Sequence, residues 1–175
     1  MTRRDQRREP GMSRRILRGF DRSAFVTARD RVGLGPAELA RIAEVSAGAV
    51  YSWERGDATP GVDTLARVAR ALRIPIAELV PIPEDERFLG DLRVLAGLTQ
   101  PQLAKLSGMS TSSLAQLERG QARIKVEVAQ RIADALSPNR DDDADPVAFG
   151  AEPVTVQQVL DAHERVRTRP PHTRP

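Results

Sequence analysis

Residues 97–120 read GLTQPQLAKLSGMSTSSLAQLERG, and this stretch decides the fold. Its spacing predicts two short helices joined by a tight turn. Thr99 caps the first, and Gln102, three residues on, completes the pattern of a capping box. Leu103, Ala104 and Leu106 supply that helix with an apolar face, and Gly108 breaks it. Ser110 caps the second helix, Leu114 and Leu117 give it a buried side, and Gly120 follows as the left-handed terminator. What is left outward on the second helix is small and polar: Thr111, Ser112, Ser113 and Gln116. Such a helix, apolar behind and polar in front, suits insertion into a nucleic-acid groove.

Shifted back by 64 residues, the same pattern lands on residues 33–56, GLGPAELARIAEVSAGAVYSWERG. Without a gap, fourteen of forty positions are identical between residues 33–72 and 97–136. Leu39 matches Leu103, Ser46 matches Ser110, and Glu54-Arg55-Gly56 matches Glu118-Arg119-Gly120. Most identities are apolar or turn residues, so the repeat is first a repeat of fold. The pattern GLTQ…LA…S..SL.QLERG resembles the helix-turn-helix of the Xre/Cro family of phage-repressor-type DNA-binding proteins.

The chain has 175 residues, room for two domains of about 60–70 residues with extensions. It has no Cys, which excludes disulfides and thiolate metal sites and is compatible with the expected cytoplasmic location. No apolar run approaches the ~18 residues of a membrane span, and the Arg-rich start lacks an apolar signal core, so secretion is not expected. Net charge is +3, but its distribution says more than its size. Residues 1–22 carry eight Arg against three acids, residues 141–175 seven acids against four Arg, and the repeats between are near neutral.

These patterns predict an all-α protein of two tandem repressor-like helix-turn-helix domains with N- and C-terminal extensions, five helices in the first domain and four or five in the second. A basic arm (1–22) includes a short helix over 13–20 with Ile16, Leu17 and Phe20 on one side. It reads either as a solubilising tail that caps the first domain or as a phosphate-contacting arm. The first domain covers 23–82, opening on a helix with Phe25, Ala28 and Val32 inward. The second covers 84–138, where Ser137-Pro138 ends its fourth helix with no fifth at the matching place. An acidic linker (139–153) leads to an amphipathic helix over 154–167. That helix, with Val156, Val159, Leu160, His163 and Val166 at helical spacing, is expected to replace the missing lid. Residues 168–175 should be loose.

The resemblance implies roles for particular residues. Family members pair an Arg on the first helix with the Glu ending the third, which implies the structural ion pairs Arg29–Glu54 and Arg93–Glu118. In the second repeat the base-contacting positions become Gln100, Thr111, Ser112 and Gln116, and the phosphate-contacting ones Arg119, Arg123, Lys125 and Ser113. Gln bonds adenine bidentately, and Thr offers a hydroxyl and a methyl. In the first repeat the matching positions are Pro36, Ala47, Gly48 and Ser52, so only Ser52, Arg55 and Tyr51 remain for DNA. The first repeat then binds DNA weakly through shape, mediates dimerisation, or docks another protein.

No catalytic residue, metal site or cofactor is expected: both histidines lie in the tail, and no phosphate-cradling glycine loop occurs. The reading is therefore a sequence-specific regulator that binds double-stranded DNA as a homodimer. A protein partner is open to it through the first domain or the C-terminal helix. The competing reading is a protein-binding adaptor, of antitoxin or bridging-coactivator type, that reuses the fold as a docking surface.

Overall fold

A computed structural model describes residues 17–137 and 153–169. Among these the chain forms ten α-helices, a short 3-10 turn and no strand. The first unit contains α1 (Arg22–Val32), α2 (Pro36–Ile42), α3 (Ala47–Arg55), α4 (Val62–Leu72) and α5 (Ile76–Leu79). The Asp21 carboxylate starts α1 by accepting from the Ala24 amide at 2.9 Å, and the Ser46 hydroxyl starts α3 by accepting from Ala49 at 3.2 Å. Gly56 ends α3 at φ 80°, a conformation that costs a Cβ-bearing residue energy. Phe25, Leu39, Val50, Leu65, Leu72 and Leu79 fill the core, with Trp53 edge-on to Phe25.

The second unit follows the 3-10 turn Glu84–Glu86 and contains α6 (Leu89–Leu95), α7 (Gln100–Leu106), α8 (Thr111–Glu118), α9 (Val126–Leu136) and α10 (Val156–Thr168). Leu89, Leu103, Leu114 and Ile132 are its fully enclosed centre. After α9 the backbone turns extended at Ser137, as a residue preceding proline prefers. The chain returns at Val154, whose amide donates to the Ser137 hydroxyl at 3.1 Å. Thr155 and Gln158 then cap α10 reciprocally, at 2.8 and 3.2 Å. Against α9, α6 and α8 this helix buries Val159, Ala162 and His163, with Val156 and Leu160 at the edge of the same core. The first unit closes its core with α5, whereas the second closes with α10.

The two units are packed on one another. Val94 of α6 is buried with the first core, and Leu95 packs against it. The Arg18 guanidinium pairs with the buried Asp91 carboxylate of α6 and lies 4.5 Å from the Phe88 ring centroid. Arg165 of α10 donates to the Arg87 carbonyl at 2.8 Å.

Three expectations are corrected. Residues 17–20 form a turn rather than the end of a helix, with Gly19 at φ 78°. A Cβ there would sit 2.6 Å from Ile82, so close packing forces the turn. Val32 is 44 % exposed, because as the last residue of α1 it overhangs the core. Leu106 is 61 % exposed, and its place inside is taken by Ser107, which hides its hydroxyl by donating to the Leu103 carbonyl at 2.6 Å. Residues 1–16 of the arm, residue 138, 139–152 of the acidic linker and 170–175 of the tail lie outside the described residues.

Candidate nucleic-acid interface

In the second unit, α7 and α8 meet across the turn at Gly108, whose φ of 65° lets the chain reverse. Leu114 and Leu117 anchor α8 inward, so the 3.6-residue period turns Thr111, Ser112, Ser113 and Gln116 outward, and all four are exposed. The Ser110 hydroxyl, which caps the helix from Ser113 at 3.1 Å, also lies 3.0 Å from the Ser112 hydroxyl and 2.8 Å from that of Ser113. Thr111 and Gln116 take no part in these cap bonds and lead the outward face.

Arg93 is the fixed point behind that face. Its Nε donates to Glu118 Oε1 at 2.6 Å and its Nη2 to Oε2 at 3.1 Å. Its Nη1 donates to the Leu98 carbonyl at 2.9 Å. One guanidinium thus ties α6, the loop before α7 and the end of α8 together. Gln100 adds to this group, its Nε2 donating to Glu118 Oε2 at 2.7 Å. A carboxylate only accepts, so the Gln100 amide nitrogen must face Glu118, which leaves its carbonyl oxygen and second N–H for other partners.

The loop after α8 exposes three cationic side chains, Arg119, Arg123 and Lys125, beside neutral Gln121. The Arg119 Nε donates to Gln121 at 2.9 Å, a bond on the solvent side. The structure thus places the base-facing and phosphate-facing candidates of the second repeat on α8 and the loop after it, with Gln100 alone set back, half-buried beside Glu118.

In the first unit the corresponding surface is differently equipped. Arg29 Nε donates to Glu54 at 2.7 Å and its Nη1 to the Leu34 carbonyl at 2.7 Å, repeating the second unit's brace. Pro36 stands where Gln100 stands and offers no donor. Tyr51 is 44 % exposed, Ser52 is half-buried, and exposed Arg55 is held by Asp57 at 2.7 Å. The loop after α3 therefore neutralises its own cation, while the loop after α8 adds Arg123 and Lys125.

Two features escaped the sequence pattern. Arg18, in the basic arm, is engaged with Asp91, the Glu86 carbonyl and Phe88. Burial raises the Asp91 pKa above its ordinary 3.8, against the opposing pull of the Phe88 amide and of Arg18. His163 is the second, its Nδ1 lying 3.1 Å from the Leu117 carbonyl on the back of α8. Neither contact has a local spacing signal, since the partners are 73 and 46 residues apart.

Among the described residues no three acidic or histidine side chains converge as a metal site, and no helix is long and apolar enough to cross a membrane. Comparison with family models finds the helix-turn-helix family twice, over residues 27–79 and 89–137. No curated protein and no solved structure matches the chain significantly.

Proposed function

From the premise that the chain belongs to the Xre/Cro-like helix-turn-helix family, whose domains point to a DNA-binding regulator, we propose that it is a sequence-specific transcriptional regulator reading the major groove with α8. The observation that carries this is the contrast between the repeats. α8 presents exposed Thr111, Ser112, Ser113 and Gln116, followed by exposed Arg119, Arg123 and Lys125. At the same places α3 presents Ala47, Gly48, Ala49 and half-buried Ser52, and its Arg55 is held by the acid Asp57 that follows. Base edges are read by bidentate amides and hydroxyls, and phosphates by cations, and the second repeat is much the richer in both.

The first repeat supports a different use. Tyr51 is a large aromatic side chain left exposed on its motif where α8 has Ala115, which favours contact with protein. In this reading two chains each present α8 to a half-site about one helical turn from the other. The first unit supplies the self-complementary contact or holds a protein partner. Family membership and the absence of a catalytic or cofactor constellation in the sequence favour a cytoplasmic, non-enzymatic regulator.

Selection from a random duplex library, followed by footprinting and light scattering on the selected site, tests this. A palindromic footprint from a dimer, with affinity falling steeply with salt, is expected. A protein that selects no sequence, or binds with no salt dependence, is an adaptor instead. A monomer protecting an asymmetric site would restore α3 as a reader.

A further inference from the structure

The imidazole of His163 is 2 % exposed and enclosed where α10 crosses the end of α8. Its Nδ1 lies 3.1 Å from the Leu117 carbonyl oxygen. A carbonyl only accepts, so Nδ1 carries the ring proton and Nε2 is the bare nitrogen. Nε2 is buried without a hydrogen-bond partner. Leu117 sits on α8 next to outward-facing Gln116. The neutral ring thus braces α8 from behind, and a second proton would have to enter an enclosed, unpartnered nitrogen.

The surrounding charges leave that cost in place. On α10 itself, Arg167 opposes a second proton and exposed Glu164 favours it; the carbonyls of Leu117 and Ala122 also favour it, but Leu117 is engaged at Nδ1 and Ala122 makes no hydrogen bond to Nε2. At the end of α8, Glu118 is held by Arg93, and just beyond it Arg119 is held by Gln121. On α6, Arg93 is spent on Glu118 and Asp91 is held by Arg18. The charged residues of α9, Glu127, Arg131 and Asp134, are exposed. On the 3-10 turn, Glu84 accepts from Gln158, and Asp85 and Glu86 are exposed. Burial is the largest influence on the ring and holds its pKa below the ordinary 6.5.

We propose that the second helix-turn-helix unit is proton-gated: a second proton on His163 undocks α10 from the back of α8 and so weakens DNA reading. The undocking stands on the packing alone, and the effect on DNA rests on the reader role proposed for α8. The sign follows from linkage. The docked ring has the lower pKa, so the undocked form binds more protons. Docking is at full strength above the ordinary value of 6.5 and is lost as the pH falls through the docked value.

The test uses the full chain with His172→Gln, which leaves His163 as the sole histidine. Three quantities are followed between about pH 7.5 and about pH 5.5: the imidazole NMR titration, the hydrogen-exchange protection of α10 relative to α1, and affinity for a duplex selected from a random library at the higher pH. The expected result is a titration midpoint below 6.5 and a relative protection that falls by about fivefold or more. Affinity should fall with it. In His163→Asn, which keeps a donor near the Nδ1 position but does not titrate, both pH dependences should vanish. A midpoint at or above 6.5, or a protection ratio that does not change, overturns the gate without requiring the variant to fold. A pH dependence that survives in His163→Asn overturns the role of His163. Protection that falls while affinity holds leaves the gate standing and overturns the reader role of α8.

Discussion

Glu44 and Gly108 occupy the same position in the two repeats, at the turn between the motif helices, and both have left-handed backbones, with φ 54° and 65°. Glycine takes that conformation freely, whereas an L-residue pays roughly 1–2 kcal/mol there. The Glu44 side chain is exposed, and what the fold uses of this residue is its carbonyl, which accepts from Arg67 at 2.7 Å. Glu44→Gly should therefore stabilise the first unit by up to about 1 kcal/mol, glycine's greater freedom in the unfolded chain offsetting part of the relief. Urea unfolding measures it, and a lowered midpoint would show that the Glu44 backbone is not strained.

Arg93→Ala should cost about 3–5 kcal/mol, because it leaves a largely buried Glu118 carboxylate with Gln100 as its remaining side-chain donor. Replacing both partners with apolar residues of similar size, Arg93→Met with Glu118→Leu, should cost far less than Arg93→Ala. Thermal unfolding of the single and double variants decides it. Equal losses in both would mean that the pair contributes through packing rather than charge.

Arg18→Ala removes the cation beside buried Asp91 and the guanidinium over Phe88. Since Arg18 is itself 44 % exposed, the expected loss is toward the low end for a charged hydrogen bond, about 1.5 kcal/mol. It should also loosen the junction between the units, read as faster hydrogen exchange in α6. Exchange confined to wild-type rates would place the junction's strength in Val94 and its apolar neighbours.

A chain ending at Ser137 lacks α10 and exposes the face that buries Val159, Ala162 and His163. Burying a Val side chain alone is worth about 1.5–3 kcal/mol, so the second unit should melt well below the full chain while α1 to α5 stay protected. Identical melting of both chains would show that α10 contributes nothing to the second core.

On the selected duplex, Gln116→Ala and Thr111→Ala should each cost about 1–3 kcal/mol and leave nonspecific binding nearly intact. Arg123→Ala and Lys125→Ala should weaken binding to all duplexes alike, each reducing the salt slope by about one. If Ser52→Ala is the more damaging change, the first repeat is the reader.

The sequence by itself determined the local and periodic features. Capping serines, the apolar spacing around Leu103 and Leu114, and the glycines at 56, 108 and 120 act within a few residues, so they can be read along the chain. The 64-residue repeat then transferred each assignment from one unit to the other. The outward face of α8 was legible for the same reason, because a helix with two fixed inward residues has a fixed outside. Its limits were local too: at the end of α7, Leu106 and Ser107 are adjacent, and only packing decided that the serine goes in and the leucine out. Tertiary structure also decided what joins distant segments. Arg18 reaching Asp91, the Gln100 amide turning to Glu118, and His163 meeting the back of α8 depend on how helices pack, and no spacing rule couples residues so far apart. The packing site of α10 belongs to this class. Its apolar stripe shows in the sequence, but the surface that receives it, between α6, α8 and α9, exists only once those helices have assembled.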